Sequence, residues 1–178
     1  MQKLYGTVVP IVTPLTEEDT IDVESLKNLV NHVIDGGLQC LYPCGTTGEM
    51  MYLTVEERKQ VAEVTVKEAA GRVPVFVHVG AWNLKDTIEL AQHAEKIGAD
   101  GIGVVTPAFY KLSDHGLVDF YVEVAHSVSE DFPVYMYAIP QNAINDVNAT
   151  VCEEVAKQCP NVLGIKSVSY THLTLPTN

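Results

Sequence analysis

The sequence predicts an α/β protein, a parallel (β/α)8 TIM barrel with about six of its β/α units present in 178 residues. Three observations predict it. Apolar, strand-like runs recur at 7–12, 38–43, 73–79, 101–106, 134–137 and 162–166, a spacing of about thirty residues that suits one β/α unit. A helical pattern fills each interval between runs, and strict alternation favours parallel strands covered by helices. No Gly-x-Gly-x-x-Gly follows the first run, so the dinucleotide version of an open, doubly wound sheet loses its main support. Periodicity alone leaves such a six-stranded open layer as the structural rival.

The first helix is expected near Asp22, burying Leu26, Leu29, Val30 and Val33, with Gly36 and Gly37 available for a left-handed end. After the second run, Thr54 with Glu57 three residues on forms a capping box, and Val61, Val64 and Ala69 keep helical spacing. The third helix buries Ile88, Leu90, Ala91, Ala94 and Ile97 and stops at Gly98. A fourth follows Ser113 with Leu117, Phe120, Tyr121, Val124 and Val128; a fifth follows Asn148 with Val151, Val155 and Ala156 before Pro160. Short loops without a linker predict one domain over 1–167. Residues 168–178 offer neither a capped helix nor strand alternation and read as a foreign or disordered tail, which makes His172 a poor catalytic candidate.

With 47% hydrophobic and 19% charged residues the chain can bury a real core. The balance of 11 Lys+Arg against 23 Asp+Glu, a net charge of -12, opposes attraction to nucleic acid or anionic membranes. No apolar run is long enough to span a bilayer and the Met1 start lacks signal-peptide character, so a cytoplasmic location is expected. Cys40, Cys44, Cys152 and Cys159 are too sparse for a disulfide scaffold, and Cys40 falls in an apolar run that favours packing over a zinc site.

Parallel barrels carry their chemistry where strands end at the carboxyl side. Lys166 closes the sixth run, where a primary amine stripped of water is a nucleophile able to form a Schiff base. Taken alone, the segment favours a structural lysine whose stem packs while its head reaches solvent. The second run closes on Gly45-Thr46-Thr47-Gly48-Glu49, whose glycines and hydroxyls suit a small carboxylate and equally suit a tight strand-to-helix turn. Alternation puts Tyr135 and Tyr137 on one side of the fifth run, and a phenol there can shuttle a proton or simply pack. The fourth run leads to Phe109 and Tyr110, with packing as the default. His32, His93 and His126 fall in helical patterns, and His115 opens one. His78 lies near a strand end without a carboxylate cluster, so metal-dependent chemistry has no support. Trp82 and Asn83 shape the mouth without an assigned role.

Gly45-Thr46-Thr47-Gly48-Glu49, Tyr137 three residues before Pro140, Gly164-Ile165-Lys166 and the early Thr13-Pro14 together resemble the dihydrodipicolinate synthase and N-acetylneuraminate lyase family of class I pyruvate-dependent aldolases. The resemblance runs from about Tyr5 to Lys166 and implies a (β/α)8 barrel. It implies Lys166 as the Schiff-base lysine, Tyr137 as proton donor and acceptor, and Thr46 in a hydroxyl relay. Thr47, on the loop bounded by Gly45 and Gly48, would bind the pyruvate carboxylate, and Tyr110 stands where the lyase pattern places a catalytic phenol. The implied substrates are pyruvate or another 2-keto acid and an aldehyde, with a covalent lysine imine in place of any cofactor and no metal. The implied assembly is a homo-oligomer, a tetramer or dimer of dimers.

Three residues depart from the synthase pattern: Asn142 replaces an arginine that grips a second carboxylate, Phe109 replaces a tyrosine donated across a dimer interface, and Ala138 replaces an asparagine. They favour a lyase or aldolase acting on N-acetylneuraminate or a 2-keto-3-deoxy sugar acid. The alternatives are a 4-hydroxy-tetrahydrodipicolinate synthase of lysine biosynthesis and a noncatalytic keto-acid-binding protein; an unrelated barrel fragment with a structural Lys166 ranks last. The family's last β/α units are also missing, so this chain by itself is expected to be poorly folded and inactive.

Overall fold

Helix starts are set by short-range chemistry, and all four capping residues named from the sequence serve as caps. The computed structural model describes residues 6–168. Asp22 accepts from Ser25 N ahead of α1 (Val23–Asp35), and Thr54 and Glu57 form a reciprocal capping box ahead of α2 (Val55–Ala69). Asn83 caps α3 (Leu84–Lys96), Ser113 caps α4 (Asp114–His126) and Asn148 caps α6 (Ala149–Gln158), each hydroxyl, amide or carboxylate oxygen answering an orphan amide. Left-handed Gly37 (φ 89) and Gly98 (φ 80) carry the chain away from α1 and α3. Two elements were not foreseen, the 3-10 turn Met50–Tyr52 and the four-residue α5 (Pro140–Ala143), where Pro140 opens the helix with a preset φ. Ala156 is exposed rather than buried. The inward stripe of α6 runs Val151, Val155 and on to Cys159, each four residues apart, and Ala156 stands one residue off it.

The strands are β1 (Val8–Pro10), β2 (Cys40–Tyr42), β3 (Phe76–His78), β4 (Gly101–Val105), β5 (Val134–Ala138) and β6 (Val162–Ser167). All pair in parallel: β1 with β2, then β3 through β6 in sequence order. A Leu41–Val75 bridge, with Leu41 N donating to Pro74 O (3.0 Å) and His78 N to Pro43 O (3.1 Å), joins the two groups. The order is therefore 1-2-3-4-5-6 without reversal, which is barrel topology, whereas a doubly wound sheet turns back at a switch point. Among the described residues β1 and β6 are the edges, and Leu163 and Ile165 of β6 are 40% and 41% exposed. Residues 169–178, including His172, lie outside the described residues, so the expected tail does too. Val168 still donates to Ala138 O (3.2 Å).

Helices cover one face. Leu41, Val75, Val77, Ile102, Val104, Val134 and Met136 meet Leu26, Val30, Val61, Leu90 and Val124 there in one buried cluster. The opposite face holds Cys40, Tyr42, Phe76 and Tyr135. Its close packing depends on β4, whose Gly103 leaves room for the Tyr42 ring: a Cβ there would run into the Tyr42 hydroxyl and lie 2.7 Å from Cζ. Gly103→Ala is expected to destabilise the fold by about 1–3 kcal/mol in urea unfolding. Adding Tyr42→Phe, which removes the obstructing oxygen, should recover part of the loss.

Candidate active site

The carboxyl ends of β2, β3, β5 and β6 converge on one group of side chains. A register shift at Val134/Tyr135 sets Tyr135 opposite Gly164 and Tyr137 opposite Lys166, so the phenol and the amine extend from neighbouring strands to the same face. Lys166 is half-buried, with Nζ 3.4 Å from the Tyr137 ring centroid and 5.6 Å from that of Tyr42. Tyr137 is buried, and its Oη lies 3.3 Å from Thr46 Oγ1. The structure thus brings Lys166, Tyr137 and Thr46 together.

The loop after β2 has a different internal logic from the one its glycines suggested. Left-handed backbone falls on Cys44 (φ 60) and Glu49 (φ 56), while Gly45 and Gly48 provide space: Cβ atoms there would lie 3.1 Å from the Tyr42 ring and from Ile11 O. Thr13 Oγ1 donates to Gly48 O (2.8 Å, buried), which gives the early Thr13-Pro14 its place. Glu49 N and Met50 N are bonded to Thr46 O and Gly45 O. The amides of Thr46, Thr47 and Gly48 donate to no protein acceptor among the described residues. Thr46 and Thr47 are solvent-exposed beside them.

Tyr110 does not join this group. Its ring is exposed and stands edge-on to Phe109, 5.0 Å away, and its carbonyl accepts from Asn145 Nδ2 (2.8 Å). Phe109 adopts left-handed backbone (φ 74). Above Thr46 opens a cavity of about 580 Å³ lined also by Glu49, Tyr52, Trp82, Phe109 and Asn142, with no Lys or Arg among the described residues that line it. Lys166 lines a smaller one of about 290 Å³ with Cys40, Tyr42, Phe76 and Tyr135.

Sequence reading missed Arg58 and gave His78 no partner. Arg58 is buried at 4% exposure and donates through Nη1 to Gly80 O and through Nη2 to His78 O, both 2.9 Å. A signal for its burial existed, since Arg58 lies on the same stripe of α2 as Val61, Ala62, Thr65 and Ala69. Burial, aided by the Arg58 charge, holds the His78 ring well below its ordinary pKa and so neutral. Burial pushes the Cys40 and Cys44 thiols up to about 11, and all four cysteines are free. Among the described residues no group of three or more His, Cys, Asp or Glu could hold a metal ion.

The model of the Dihydrodipicolinate synthetase family matches residues 3–175. A 4-hydroxy-tetrahydrodipicolinate synthase of Brucella abortus biovar 1 is 40% identical over 166 residues, covering 93% of this chain and 56% of that protein. Among solved structures, the catalytic lysine mutant of Ruminococcus gnavus sialic acid aldolase superposes with a TM-score of 0.89 at 31% identity, covering 95% of this chain and 56% of the other. YagE of E. coli K12, a prophage protein of the dihydrodipicolinic acid synthase family solved with pyruvate, gives a TM-score of 0.87 at 34% identity, covering 91% and 54%. The chain spans about half the length of the curated relatives it matches.

Proposed function

This chain belongs to the dihydrodipicolinate synthetase family, and from that premise we propose that Lys166 forms an imine with the keto carbon of pyruvate or another 2-keto acid. The observation that carries the reading is the convergence of the Lys166 amine, the Thr46–Tyr137 hydroxyl pair and the unspent amides of residues 46–48 at one end of the sheet. A pyruvate-bound relative and another with a catalytic lysine support it.

In the proposed chemistry the Lys166 lone pair adds to C2 and the former carbonyl oxygen leaves as water, its protons delivered through Tyr137 and Thr46. The iminium then accepts electrons from the adjacent C–H or C–C bond. Loss of a C3 proton gives an enamine that attacks an aldehyde carbon; in reverse, C–C cleavage releases the aldehyde and leaves the same enamine. Hydrolysis of the imine restores the amine. Gly45, Thr47 and Gly48 hold the carboxylate, which orients C2 toward the amine and lowers the entropic barrier. Tyr110 is exposed and stands outside the group. No metal or other cofactor takes part.

For the second substrate, a neutral sugar-type aldehyde fits the cavity above Thr46, which presents Glu49 and Asn142 and, among the described residues, no cation. The related synthase from Brucella abortus favours the second reading, 4-hydroxy-tetrahydrodipicolinate synthesis. Borohydride added to the full-length protein with pyruvate is expected to leave a pyruvyl mass on the peptide containing Lys166. Pyruvate binding without that adduct would reduce the protein to a noncatalytic keto-acid binder.

A further inference from the structure

Resting on the imine reading above, we propose that His78 is a positioning residue whose ring Nδ1–H holds the Cys44 carbonyl and so sets the loop that presents Thr46 and Thr47, with Arg58 as the clamp that fixes His78. The contact is buried, with Nδ1 3.0 Å from Cys44 O. A carbonyl oxygen only accepts and a guanidinium only donates, so Nδ1 can serve one of its two neighbours; the shorter contact, to Cys44 O at 3.0 Å, assigns it the hydrogen, and Arg58 Nη2 at 3.4 Å then stands beside it without a bond to it. In the neutral ring Nε2 is then the lone-pair nitrogen. It faces no protein hydrogen-bond partner among the described residues, and the ring packs in a triangle with those of Tyr42 and Tyr137, 6.0 and 5.9 Å away and themselves 6.5 Å apart.

Arg58 closes this arrangement from behind. Its guanidinium grips His78 O and Gly80 O, the end of β3 and the residue after next, while Cys44 Sγ donates to Arg58 O at 3.5 Å. The start of the loop, the end of β3 and the first turns of α2 are thereby tied into one ring of contacts. Cys44 needs such a tie, because its left-handed backbone is a costly conformation for a residue with a side chain. Two residues further on, Thr46 meets Tyr137. His78 thus pins the entry of the loop as Thr13 pins its exit at Gly48 O. A free swing of the Cys44 carbonyl would carry Thr46 and Thr47 away from the keto acid without touching any group that reacts.

The test begins with the unsubstituted full-length protein: absence of pyruvate-dependent borohydride trapping at Lys166 overturns the imine reading itself. Where trapping occurs, two variants separate positioning from packing. Asn in H78N offers an amide N–H close to where imidazole offers Nδ1–H but fills less space, whereas Leu in H78L fills the space and has no donor. H78L is expected to raise the pyruvate concentration for half-maximal trapping by about tenfold or more, the order of effect of a buried carbonyl left unpaired. H78N should recover most of that loss. A packing role reverses the order, with H78L the tighter binder, and that result or equal affinities would overturn the proposal. Nitrogen-15 NMR of the unsubstituted protein gives a check independent of turnover and of any variant's folding. It should show His78 protonated at Nδ1 and unprotonated at Nε2, and the opposite tautomer would defeat the assignment.

Discussion

Lys166→Met is expected to abolish the borohydride-trapped pyruvyl adduct and to lower turnover by about 10⁵-fold, the lower end of what a held reactant gains over a diffusing one. Methionine keeps the length and apolar stem of lysine, so packing against the Tyr42 and Tyr137 rings survives while the amine 3.4 Å from the Tyr137 ring centroid is lost. The variant should therefore unfold cooperatively at nearly the same temperature as the parent protein. Loss of activity with folding retained is the signature of a chemical role. A variant that stays folded and turns over within tenfold of the parent would return Lys166 to the structural reading that its strand segment first suggested.

Tyr137→Phe is expected to slow turnover by about 10²–10⁴-fold, the usual contribution of a placed proton donor and acceptor. The ring itself has a packing task, edge-on to Tyr42 at 6.5 Å and to His78 at 5.9 Å, and phenylalanine preserves both contacts. Only the hydroxyl at 3.3 Å from Thr46 Oγ1 disappears. Pyruvate trapping at Lys166 should still reach completion but with a much smaller rate constant, because water is expelled without a proton delivered to it. Stopped-flow formation of the imine, followed in the parent and the variant at saturating pyruvate, measures the difference directly. Unchanged rates would remove Tyr137 from the proton path.

What the sequence made legible, and what it hid, divides along the distance over which a residue finds its partner. Asp22, Thr54, Ser113 and Asn148 act on amides three residues away, so their roles could be read locally. Strand spacing was enough to put Lys166, Tyr137 and the Gly45–Gly48 loop at the same end of a parallel array. Periodicity could not decide between a barrel and an open layer; that needed the strand order and the Leu41–Val75 bridge. Gly103 was an unremarked glycine until the Tyr42 ring was found against it, sixty-one residues earlier in the chain. Arg58 was invisible for a related reason: a guanidinium on a helix is ordinarily a solvated charge, and nothing near it in sequence announces the two carbonyls at the end of β3 that hold it. Tyr110 shows the reverse case, a residue whose motif drew attention and whose side chain faces solvent.

The Thr46–Tyr137 contact also has a consequence for the order in which the molecule forms. It spans 91 residues of chain, and closing so long a loop is entropically unfavourable until the intervening strands hold its ends near each other. Capped helices such as α2 need no distant partner and can form within microseconds. Thr46 and Tyr137 meet only when β2, β3, β4 and β5 stand side by side in register, and Lys166 joins them one strand later. During refolding, reactive geometry is therefore among the last features to appear, and the helical signal precedes it. Acquisition of a keto-acid-reactive lysine would time the completion of the sheet, a clock built from the same long-range contacts that make the site.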